Sequence, residues 1–177
     1  MPKTESYPGP PPTWLVGHDL TPRADDVALA AADELSRSGG RLVLFHAYQV
    51  PVPPPVYGGA AISTTTMPME VDREVAGMAE RRLEQIAARI RDRHPGVTVE
   101  VRVTRGQPAS SLLEAADAEE ASRIVVGTHG RTGFRHLLLG SVAERVVRLA
   151  AVPVLVVKLP EPEGAGAEAR RPAGGAA

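Results

Sequence analysis

Apolar residues recur along this chain in two rhythms. Unbroken short runs at Trp14–Val16, Leu42–Phe45, Ile124–Val126 and Val152–Val157 fit strands covered on both faces. Between them, apolar positions fall at helical spacing. One set is Val27, Ala31 and Leu35, a second Val71, Val75, Met78, Ile86 and Ile90. A third is Leu112, Leu113 and Ala116, and the last Val142, Val146 and Leu149. Val97, Val99, Val101 and Val103 alternate with polar residues, as in a strand with one wet face at a sheet edge.

Punctuation supports the same division. Thr21-Pro22 reads as a helix start, with threonine as N-cap and proline in the first turn. Gly39-Gly40 and Pro95-Gly96 read as stops. Ser141 with Glu144 three residues on fits a capping box, so Ser141 is expected to cap the fourth helix. The order β-α-β-(loop)-α-β-α-β-α-β predicts an α/β fold, a five-stranded parallel doubly wound sheet.

Residues 1–12 and 160–177 are rich in proline, glycine and alanine and lack a core pattern; both are expected to be disordered tails around one domain at 13–159. Tyr48–Pro68 holds Pro51, Pro53, Pro54, Pro55 and a Ser-Thr-Thr-Thr run, and reads as a long loop.

Composition narrows the function. The chain has 177 residues, 43% of them apolar, and a net charge of −1, so bulk charge argues against a nucleic-acid partner or an anionic membrane surface. It has no cysteine, which excludes disulfides and thiolate chemistry. No signal-peptide core or membrane-length apolar run occurs, so a cytoplasmic protein is expected. The five histidines show no metal-ligand spacing, and no Walker sequence is present.

The stretch from Gly127 through Gly130 to Gly140-Ser141 leaves a buried strand at its carboxyl end and re-enters a helix. Ligands of open α/β sheets sit outside strand carboxyl ends, where the strand order reverses. Glycines let backbone approach a ligand, and a helix N-terminus favours phosphate. Gly127-x-x-Gly130 also looks like the clamp of RNA-binding KH domains, but here it follows a strand and the chain is not basic.

The spacing Gly-x2-Gly-x9-Gly-Ser resembles the nucleotide motif of the ATP-binding universal stress proteins (the UspA-like family). Further matches are Leu15–Pro22 with Asp19, Val43–Ala47 with His46, Gly106-Gln107-Pro108, and Val152–Val156. Together they cover nearly all of residues 13–158 in family order. The chain departs from the family at Ser122-Arg123, where an acidic residue is common, and in its long proline-rich insert.

That resemblance implies a Rossmann-like sheet of the adenine nucleotide alpha hydrolase type, in strand order 3-2-1-4-5. It implies ATP as ligand, with or without Mg2+, and phosphates held at Gly127, Gly130, Gly140, Ser141 and Val142. Val126 belongs to the same set, Asp19 faces the ribose and adenine, and backbone at Ala47 reads the adenine edge. Charge and position add Arg131, with His129 and Arg135, as phosphate contacts.

The last strand, residues 152–157, is apolar on both faces over Val154–Val157 and would be a bare edge, so a homodimer joined there is expected. The leading function is a nucleotide-binding stress or signalling protein. No general base stands beside a nucleophile, so no catalytic residue is assigned and at most slow hydrolysis is expected. A dimeric interaction module without nucleotide and an ATP hydrolase or phosphotransferase are the alternatives.

Overall fold

The computed structural model describes residues 10–49, 69–128 and 139–159. Most of both predicted tails, nearly all of the Tyr48–Pro68 loop, and Gly130 and Arg131 with His129, Arg135 and His136 lie outside the described residues. The elements are β1 (Thr13–Gly17), α1 (Pro22–Leu35), β2 (Gly40–Tyr48), α2 (Met69–Arg93), β3 (Val97–Arg105), α3 (Pro108–Ala118), β4 (Arg123–Gly127), α4 (Ser141–Leu149) and β5 (Val154–Val157). All neighbouring strands pair in parallel, in the order β3-β2-β1-β4-β5. The predicted sheet is the observed one.

The register sorts the core. Leu15 lies opposite Val43 and Ile124, and Val16 opposite Leu44 and Val125. Because strand side chains alternate, the first set faces α3 and α4 and the second faces α1 and α2. β2, β1 and β4 are therefore covered on both faces, which is why their sequences are unbroken apolar runs. β3 lies at one edge, with Val97 and Val99 buried and Thr98 and Arg102 exposed, as its alternation predicted.

Local chemistry explains most of the helix ends. Thr21 caps α1, its hydroxyl accepting from the Ala24 amide at 3.3 Å, and Pro22 follows in the first turn. The helix ends at Leu35, short of the glycines that were expected to stop it. Gly39 (φ 71°) and Gly40 (φ 141°) instead turn the chain into β2. A side chain at Gly40 would put its Cβ 2.5 Å from the Pro12 carbonyl oxygen, so this position needs glycine twice over.

Two apolar stripes differ from expectation. In α2 the buried face is Ala79, Leu83, Ile86, Ala87 and Ile90, whereas Met78 is 60% exposed. In α4 only Ala143 and Val146 are buried, leaving Val142 (38%), Val147 and Leu149 (53%) exposed. Among the described residues α4 packs chiefly against α3 and β5. Two arginines of α2 reach across to α1. Arg82 bonds the buried Asp25 carboxylate of α1, and Arg89 lies 3.9 Å from it. Among the described residues no helix is long and apolar enough to cross a membrane.

Candidate functional site

Strand order reverses between β1 and β4, and a cavity of about 290 Å³ opens beyond their carboxyl ends. Asp19, Ala47, Val126, Gly127, Gly140, Ser141 and Val142, widely separated in sequence, all line it. These are all the predicted binding residues that fall within the described residues.

The β1–α1 turn is tightly specified. After Gly17 the His18 amide still donates to the Phe45 carbonyl at 2.8 Å, extending the pairing with β2 by one bond. Leu20 then adopts φ 67°, an uncommon conformation for a non-glycine residue. It is held there by its amide, which donates to His18 Nδ1 at 3.0 Å. Asp19 Oδ1 accepts from the Thr21 amide at 3.0 Å and the Thr21 hydroxyl at 2.6 Å. Asp19 Oδ2 is buried with no hydrogen-bond partner among the described residues. The carboxylate thus shapes the turn with one oxygen, through the Thr21 amide and hydroxyl.

Two histidines line the same floor. His46 Nδ1 donates to the His18 carbonyl at 2.7 Å. The His18 ring is fully buried, and its Nε2 lies 3.1 Å from Asp25 Oδ1 without the alignment of a hydrogen bond. Burial holds the His18 pKa below its ordinary 6.5, only partly opposed by the charges of Asp25 and Asp19. With Nδ1 already accepting from Leu20, the neutral ring carries its proton on Nε2, toward Asp25.

On the other side, β4 ends at Gly127 and the chain is stitched just beyond it. The Thr128 amide donates to the Val157 carbonyl at 3.2 Å, and the Gly140 amide donates to the Thr128 carbonyl at 2.7 Å. Residues 128 and 140 therefore meet, which brings the N-terminus of α4 to the cavity. Ser141 is not its cap. Gly140 is, in an extended conformation (φ −69°, ψ 156°) with no side chain to bond the first turn. The hydroxyl–Glu144 box fails because serine sits one residue inside the helix, where its backbone is already helical. The amides at the start of α4 lack an intrahelical acceptor and lie beside the cavity, where the helix dipole is positive.

Sequence reasoning missed Thr128, whose backbone closes the loop, and Arg23 and Leu159, which also line the cavity. Arg23 had a signal: a cation two residues after a helix N-cap, where the dipole disfavours it.

Fold and cavity define the class: a doubly wound α/β domain with an open site at its switch point. The universal stress protein family model matches residues 13–158, and the chain belongs to that family. It is 39% identical over 145 residues to a universal stress protein of Mycolicibacterium smegmatis, covering 81% of this chain and 45% of that one. The chain spans about half the length of the curated relatives it matches. Among solved structures it resembles a universal stress protein family member from Burkholderia pseudomallei (27% identity, TM-score 0.61, covering 82% of this chain and 94% of that one). It also resembles a universal stress protein in complex with cAMP (25% identity, TM-score 0.57, covering 84% and 98%).

Proposed function

We propose that this chain binds an adenine nucleotide, ATP foremost, as a regulatory ligand in a stress or signalling role. The observation that carries the reading is the convergence of Asp19, Ala47, Gly127 and the α4 N-terminus on one cavity. Adenine and ribose occupy the space between Ala47 and Asp19, where the free Oδ2 accepts from a ligand hydroxyl or amino group. The phosphates extend toward Gly127, Gly130, Gly140, Ser141 and Val142, with Arg131 alongside, where backbone donors and the helix dipole favour anions. The cAMP complex of a structural relative supports an adenine nucleotide as the ligand class. Asp19 is the one carboxylate among the described residues lining the cavity, so a Mg2+ ion would be held chiefly by the phosphates.

The test is a thermal-shift panel of ATP, ADP, AMP and cyclic AMP, since a ligand of the native state raises its melting temperature. A rise with ATP is expected. No rise with any of the four at millimolar concentration refutes the reading and favours an interaction module without nucleotide.

The same reading includes a homodimer joined along β5. All four β5 residues are half-buried at a sheet edge, and Val147 and Leu149 stand exposed on the adjoining helix. Sedimentation velocity at micromolar concentration is expected to give twice the chain mass; a single-chain mass refutes the pairing.

A further inference from the structure

Arg23 is the only lysine or arginine lining the cavity among the described residues. Among the described residues its guanidinium makes one bond, from Nη2 to the Leu159 carbonyl at 3.2 Å, and no carboxylate of those residues lies within ion-pair distance of it. A guanidinium offers five N–H donors, and a single long bond to a neutral oxygen leaves most of them unused. Arg23 also stands in the first turn of α1, two residues after the Thr21 cap, where the helix dipole repels a cation. The fold therefore holds a positive charge at an unfavourable place and gives it a weak partner.

Resting on the nucleotide reading, we propose that Arg23 reads the charge of the ligand's phosphate chain, with the Leu159 carbonyl as the acceptor it surrenders on binding. Exchanging one neutral acceptor for anionic oxygens strengthens the bond and permits a two-pronged contact. Asp19 and Ala47 meet the nucleoside and are indifferent to phosphate number. Arg23 steepens the rise in affinity from adenosine to ATP beyond what the backbone donors and the α4 dipole supply.

Calorimetric titration of adenosine, AMP, ADP and ATP into the unaltered protein, Arg23→Gln and Arg23→Lys tests this. Arg23→Gln is expected to weaken ATP roughly tenfold or more while adenosine stays within about twofold, flattening the series. Arg23→Lys keeps the charge but not the fork, and falls between the two. A merely structural Arg23, tying down Leu159, would weaken all four ligands alike. An ATP-to-adenosine ratio unchanged in Arg23→Gln overturns the proposal and leaves the nucleotide reading standing, whereas equal affinity for all four in the unaltered protein overturns the proposal and the phosphate contacts of that reading together. Failure of the unaltered protein to bind any of the four overturns both.

Discussion

Replacing Asp19 by asparagine separates what this residue does for the fold from what it does for a ligand. Oδ1 accepts from the Thr21 amide and hydroxyl, and the asparagine oxygen keeps both bonds. Oδ2, buried and unpartnered, becomes an uncharged NH2 group. A buried polar group without a partner costs about 1–3 kcal/mol. The unliganded variant is therefore expected to be as stable as the parent, or more so by about 1 kcal/mol, equivalent to roughly 3 °C. Binding moves the other way. A hydrogen bond to an ionised acceptor contributes about 1.5–3 kcal/mol, and asparagine presents a donor where an acceptor is needed. At about 1.4 kcal/mol per decade the loss is roughly 10- to 150-fold in affinity for ATP and adenosine alike. Scanning calorimetry of the free proteins and titration calorimetry with both ligands measure the two effects. A melting point lowered by about 5 °C or more with undiminished affinity would refute the reasoning, since Asp19 would then be a turn former and nothing else.

Other expectations follow from single positions. Gly40→Ala meets the Pro12 carbonyl at 2.5 Å with φ at 141°, and the backbone strain alone is about 1–3 kcal/mol. Gly96→Ala, with no atom within 4 Å of its Cβ, is expected to melt near the parent; equal melting points for the two variants would contradict this. Leu83, fully buried on α2, is expected to cost about 2–5 kcal/mol on truncation to alanine, read from urea unfolding, and a loss under 1 kcal/mol would contradict its place in the core. Burial keeps His18 neutral by lowering its pKa, while the unfolded chain takes up its proton at about 6.5. Its stabilising contribution is thus present above pH 6.5 and lost as pH falls through the lowered folded value. The groups facing it are Asp25, Asp19 and Arg82, with Arg89 beside Asp25. His18→Asn is expected to flatten the acid limb of stability against pH, and an unchanged slope refutes that assignment.

Much of the fold was legible because local and global preferences agree. β2 and β4 are apolar on both faces because each lies between two strands, and β3 alternates because it lies at an edge. Thr21-Pro22 carries its own capping chemistry and starts a helix where predicted. The cap of α4 was misread because a glycine cap leaves no side-chain signature, while serine and glutamate next to it imitate one. Val142 and Leu149 obey helical spacing yet stay exposed, because periodicity marks an apolar face without telling whether anything covers it. The pairing of Arg82 and Arg89 with Asp25 was not readable, because Asp25 lies in another helix, beyond any local rule. In the site, Gly127 was readable from the end of its strand, whereas Asp19 came only with the family resemblance. The link from Thr128 to Gly140 is backbone to backbone and leaves no trace in residue identity.

The central claim is that a nucleotide lies across the junction of β1 and β4, against the first turn of α4. Amide chemical-shift mapping by NMR during titration with ATP tests it directly. The largest shifts are predicted at Gly17, Asp19, Ala47, Gly127 and Gly140–Val142, all lining one cavity. Saturating ATP that leaves these amides unmoved, or perturbs only the outer face of α2, contradicts the account.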